Sequence, residues 1–69
     1  MRALRINSSS NPLYWYTRFV GFYVPLIREE KDVYWSRELA GYLNFVEKHD
    51  CDVVELPEQT VMYTEVEND

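Results

Sequence analysis

Gly21–Glu47, GFYVPLIREEKDVYWSRELAGYLNFVE, is the stretch whose reading decides the fold. It divides into three short segments rich in aromatic and β-branched residues. A charged turn, Arg28-Glu29-Glu30-Lys31-Asp32, separates the first two, and Glu38-Leu39-Ala40-Gly41 separates the second from the third. Phe22, Val24 and Leu26 alternate with Tyr23, Pro25 and Ile27, so both faces of the first strand are apolar and both are expected to be covered. Pro25 lacks a backbone donor and belongs at an edge, a bulge or a bend. Val33–Arg37 and Tyr42–Glu47 are expected to pair across the second turn, where Gly41 suits a left-handed backbone. That pairing is expected to put Tyr34, Ser36, Leu43 and Phe45 on one face, with Val33, Trp35, Tyr42, Asn44 and Val46 on the other.

Outward from this stretch, residues 1–7 alternate as a short strand, with Ala3 and Arg5 facing one way and Leu4 and Ile6 the other. Ser8-Ser9-Ser10-Asn11-Pro12 consists entirely of turn formers and reads as a loop. Trp15–Val20 is too short for an independent helix and is expected to form a single irregular turn that pins the loop to the sheet. Beyond the stretch, Glu47-Lys48-His49-Asp50 is expected to form one 3₁₀ turn, and Cys51–Leu56 a last core strand. Residues 1–57 make one domain. Residues 58–69 form an acidic tail, expected to add an edge strand at Thr60–Thr64 and then to be disordered from Glu65 to Asp69.

Sixty-nine residues bury little surface: a chain of this size hides only about 60% of what it exposes unfolded. Cys51 is the single cysteine, so no disulfide forms within the chain, and stabilisation falls to its eleven aromatic residues. His49 and Cys51 supply two metal ligands where a structural zinc site needs about four, so no metal and no other cofactor is expected. The first residues are polar and no apolar run reaches the ~18 residues of a membrane span, so a cytoplasmic location without membrane contact is expected.

The net charge of −5 is unevenly spread. Residues 1–48 hold seven bases and five acids, whereas residues 49–69 hold seven acids and no Lys or Arg. An acidic chain repels phosphate backbones, which disfavours general nucleic-acid binding. Catalysis also finds little support. His49-Asp50-Cys51 places a base, an acid and a nucleophile in sequence, but neighbours in a strand face opposite ways, so no relay follows. No catalytic residue is assigned.

The residues Gly21, Val24 and Leu26, then Val33-Tyr34-Trp35-Ser36-Arg37, then Gly41-Tyr42-Leu43, Lys48-His49-Asp50 and Val53-Val54 together carry a likeness. In type and spacing they resemble the Src-homology-3-type β-barrel. The resemblance covers roughly residues 15–56. It implies an all-β fold, a small five-stranded barrel with a short 3₁₀ turn before the last strand. It further implies a core of Val20, Val24, Leu26, Tyr34, Leu43, Phe45 and Val53. Asn44 stands where the polyproline-binding module has a proline, and the loop before Gly21 carries serines and aromatics without acids. The closer likeness is therefore to small bacterial or phage barrels.

Under that resemblance Trp35 and Tyr42, with Trp15, Tyr16 and Tyr23, lie outside the core, and together with Asn44 they are the candidate binding residues. Exposed aromatics of this kind usually mark contact sites. The first expected function is thus a non-enzymatic protein-interaction module whose partner is another protein. A second is a phage or mobile-element regulator that occupies a host factor's basic groove with an acidic surface of Asp50, Asp52, Glu55, Glu58, Glu65 and Glu67. A third is single-stranded nucleic-acid binding by stacking on the aromatics. A homodimer paired through the Val61-Met62-Tyr63 edge is the remaining partner expectation.

Overall fold

The computed structural model describes residues 1–65. Six strands, β1 (Arg2–Ile6), β2 (Tyr23–Pro25), β3 (Arg28–Glu29), β4 (Val33–Arg37), β5 (Leu43–Glu47) and β6 (Cys51–Glu55), are joined by loops and two 3₁₀ turns, Thr17–Phe19 and Lys48–Asp50. They make two three-stranded antiparallel sheets, in the orders β2-β1-β6 and β3-β4-β5. The all-β expectation and both single-turn elements are met. Strand pairing does not close into a ring among the described residues, and no helix there is long and apolar enough to cross a membrane.

The first expected strand is broken in two. β2 pairs with β1, β3 pairs with β4, and the chain passes from one sheet to the other through Leu26 and Ile27. Pro25 sits at the end of β2 opposite Ala3, in the alternate register to the Ile6–Phe22 hydrogen-bonded rung, so its donorless nitrogen faces away from β1. The charged tip is shorter than expected, since Arg28 and Glu29 belong to β3 and the turn closes with Glu30 N donating to Val33 O at 2.9 Å.

The pairing of β4 with β5 corrects the expected faces. Tyr34 lies opposite Val46, Trp35 opposite Phe45 and Ser36 opposite Asn44. The cause is the turn: Glu38 N donates to Tyr42 O and Gly41 N to Glu38 O, with Gly41 at φ +99°. Three residues between the paired ends match even positions with even ones, and a shift of one residue sends a whole strand's side chains to the other face. Ser36 and Val46 are buried, whereas Leu43 and Phe45 turn outward.

The core consists of Leu4, Ile6, Tyr16, Phe19, Val24, Val46 and Cys51. Of the expected core, Val24 is fully buried, and Leu26, Tyr34 and Val53 pack against it. Three expected members lie outside it: Val20 is 42% exposed, Leu43 50%, and Phe45 turns outward with Leu43. Their place is taken by Tyr16 and Phe19 from the β1–β2 connection, which folds inward. The C-terminal segment also returns. Tyr63 N donates to Tyr23 O at 2.6 Å, Tyr23 N to Thr64 O at 3.1 Å, and Glu65 bridges to Phe22. The edge expected to meet a second copy is thus engaged, at Tyr63, with β2 of the same chain. The tail's expected disorder falls, apart from Glu65, outside the described residues.

Candidate functional site

Everything distinctive about the surface follows from how the connection between β1 and β2 is held. Its anchor is Asp50, the last residue of the second 3₁₀ turn and only 1% exposed. Ser8 Oγ donates to Oδ1 at 2.8 Å; Ser10 N, Ser10 Oγ and the Tyr16 hydroxyl donate to Oδ2 at 3.0, 2.9 and 2.5 Å. Burial pushes the Asp50 carboxyl pKa up, but the Tyr16, Ser10 and Ser8 donors outweigh it and hold the group at about 2. The same burial, with the Asp50 anion beside it, pushes the Tyr16 phenol up. Ser9 Oγ bonds to Asn11 O and Thr17 Oγ1, so the serine run is a fastened loop.

From that anchor the loop runs along the outer edge of β5. Trp15 Nε1 donates to Phe45 O at 2.6 Å, Glu47 N donates to the Tyr16 hydroxyl at 3.3 Å, and Phe45 N is met by its neighbour's Asn44 Oδ1 at 2.9 Å. Tyr14 packs edge-on against Phe45, with ring centroids 5.1 Å apart. Side chains therefore satisfy the groups that another strand would take in a closed barrel, which protects an otherwise sticky edge.

Between this loop and the β4–β5 hairpin lies an open cleft of about 330 Å³, lined by Trp15, Arg18, Phe19, Glu38, Leu39 and Ala40. Leu39 is 59% exposed on its rim, and Tyr42 beyond it is 70% exposed. Trp15 and Phe19 pack on each other, and Tyr63 braces Phe19 from the far side with centroids 5.3 Å apart. The Arg18 guanidinium lies 4.9 Å over the Phe19 ring, and among the described residues no carboxylate stands within ion-pair distance of it. Glu38 on the opposite wall accepts a hydrogen bond from Asn44 Nδ2 at 3.0 Å.

The six expected binding residues do not converge. Trp15 alone lines the cleft. Tyr16, expected outside the core, is fully buried because its hydroxyl has Asp50 as a partner and its ring has Tyr14 and Trp15. Asn44 is half-buried and opposite Ser36, Tyr23 is half-buried beside the C-terminal segment, and Trp35 is half-buried under the Arg28 guanidinium. Arg18 and Phe19 carried no sequence signal, because Trp15–Val20 has no period that sorts its side chains into faces. Leu39 did carry one, as an apolar residue in a turn.

The expected acidic surface is also reduced. Asp50 is interior, and Asp52 accepts from Asn7 at 2.7 Å and pairs with Arg5 at 3.5 Å. Glu55 and Glu58 lie 3.5 and 3.3 Å from the N-terminal amine. Glu65 is exposed beside Phe22, and Glu67 lies outside the described residues. Cys51 is buried and its thiol is pushed up to about 12, chiefly by burial, while His49 is exposed. Among the described residues, no three metal-ligating side chains come together. Compared with family models, curated proteins and solved structures, the chain matches none of them.

Proposed function

We propose that this chain is a non-enzymatic protein-interaction domain, built as a small barrel of the Src-homology-3 type whose ring is completed by a loop. The barrel reading is supported by the order of connections. β2 and β3 act as two halves of one bent strand, β1 joins β2 to β6, and a 3₁₀ turn separates β5 from β6. The loop from Ser8 to Val20 then stands beside β5 where pairing would otherwise continue.

One observation carries the interaction reading: the cleft between Trp15, Phe19 and Leu39 leaves apolar surface open in a domain that has little to spare. Burying an apolar side chain there contributes roughly 25 cal/mol for each Å² removed from water. Aromatic rings that flank an aliphatic rim are the usual anchors of such contacts. The titratable groups support a non-catalytic role. Asp50 is held as an anion by four donated hydrogen bonds, and Cys51 keeps its proton. Neither is poised to exchange a proton near neutral pH.

The test is affinity capture with the wild-type domain beside Leu39→Asp, each checked for an unchanged circular dichroism spectrum. A partner retained by the wild type and lost from the variant is the expected result. Identical capture by both would place any interaction elsewhere on the surface.

A further inference from the structure

Resting on that interaction reading, we propose that the cleft takes an extended acidic polypeptide segment, anchored by one apolar side chain and hydrogen-bonded to the one open rung of the β5 edge, at Leu43. Three features of the site select this class of ligand.

The first is the backbone. Glu38 N bonds to Tyr42 O, so the rungs of β4 and β5 that exchange hydrogen bonds are those at even positions, and Leu43, Phe45 and Glu47 point their main-chain groups away from β4. Phe45 and Glu47 have side-chain partners there, from Asn44, Trp15 and Tyr16. Leu43, next to the hairpin turn that forms one wall of the cleft, has no such partner among the described residues. Its N–H and C=O are a free rung that an extended chain engages and a helix, with its own groups paired, does not.

The second feature is the wall. Trp15, Phe19, Leu39 and Ala40 give the cleft an apolar interior wide enough for a side chain, and Leu43, the first residue of β5, is itself half exposed.

Charge is the third. Three cations of the chain are paired, Arg5 with Asp52, Arg28 with Glu30 and Lys48 with Glu29, while Arg2 and Lys31, away from the cleft lining, have no ion-pair partner among the described residues. Arg18 in the cleft and Arg37, opposite Leu43, have no carboxylate within ion-pair distance among the described residues. Stacked on Phe19, Arg18 offers a fixed planar fork that matches a carboxylate. Glu38, the one acid in the wall, already accepts from Asn44. Arg18 and Arg37 against the one carboxylate of Glu38 leave a single excess positive charge here among the described residues, in a chain of net charge −5. An acidic ligand is repelled at long range and attracted only within a Debye length, about 8 Å at physiological salt.

The probe is a capped peptide with a central leucine between glutamates, compared with its lysine counterpart and with a version carrying serine for leucine. Binding is followed by amide and indole NMR resonances. The glutamate peptide is expected to move the Trp15 indole N–H and the Leu39 and Leu43 amides, and the serine version to bind more weakly. Arg18→Glu is expected to weaken the glutamate peptide about 10-fold or more and to favour the lysine peptide instead. Equal binding of the glutamate and lysine peptides at the cleft, or indifference to Arg18→Glu, overturns the acidic class while the cleft remains a docking site. No movement of cleft resonances with any of the three peptides overturns the docking reading itself.

Discussion

The connection between β1 and β2 meets the rest of the molecule at two places that follow opposite rules. At Asp50 the contact is polar, buried and saturated: one carboxylate takes hydrogen bonds from Ser8, Ser10 and Tyr16. At the hairpin the contact is apolar and open, with Trp15 and Phe19 facing Leu39 across a gap. The first place spends interaction on holding the loop. The second leaves surface over, and leftover apolar surface is where binding free energy comes from. A small domain makes a stable cleft by concentrating its rigidity at one end of a loop and its exposure at the other.

That contrast is testable in order of expected size. Asp50→Ala strands the Tyr16 hydroxyl and the Ser10 N–H, at a cost of about 3 kcal/mol or more. A domain of this size rarely holds more than about 3–5 kcal/mol in total, so urea unfolding should find the variant largely unfolded at room temperature. If the midpoint barely moves, the loop is held elsewhere.

Acid should act on the same anchor with less force. The Asp50 pKa is about 2 in the folded chain against an ordinary value of 3.8, so the carboxylate stabilises the fold above its unfolded pKa. The contribution, about 2 kcal/mol, is lost as pH falls from about 4 through 2. Urea midpoints measured across that window should slope less in Asp50→Asn than in the wild type.

Tyr16→Phe keeps the ring and removes the hydroxyl that serves both Asp50 and the Glu47 N–H. It should cost about 1–2 kcal/mol, read as a lowered melting temperature without loss of the folded spectrum. The smallest effect belongs to the open end. Leu39→Ser should change stability by no more than about 0.5 kcal/mol, as surface substitutions usually do. A large loss there would make Leu39 part of the core and erase the difference between the two ends.

Much of the fold was legible because it depends on local pattern. Alternation marked β1, the valines of Cys51–Leu56 marked β6, Gly41 marked the second hairpin, and the polar run Lys48–Asp50 marked a single turn before the last strand. The face assignment of β5 failed for a definite reason. The turn closes over three residues, and the hydrophobic pattern of Tyr42–Glu47 fits either register, because Leu43 and Phe45 are as apolar as Tyr42 and Val46. The expected site scatters because most of its members share only aromatic character and a place outside a barrel core. Exposure in this chain is set by a loop whose path no periodicity describes. Tyr16 went inside and Trp15 stayed at the rim, although they are adjacent and chemically similar.

The sequence by itself determined an all-β chain without a disulfide, with its acids gathered toward the C-terminus and its turns at glycine and charge. Those properties reside in single residues and their near neighbours. Only the tertiary structure decided that Gly21–Glu47 splits between two sheets, that Trp15 and Tyr16 cover the edge of β5 at Phe45 and Glu47, and that Asp50 is an anchor instead of surface charge. The last two depend on partners roughly thirty to forty residues apart in the chain, Asp50 with Ser10 and Tyr16, Trp15 with Phe45. A hydrogen bond across that distance is fixed by where the fold brings donor and acceptor, and no local preference encodes it.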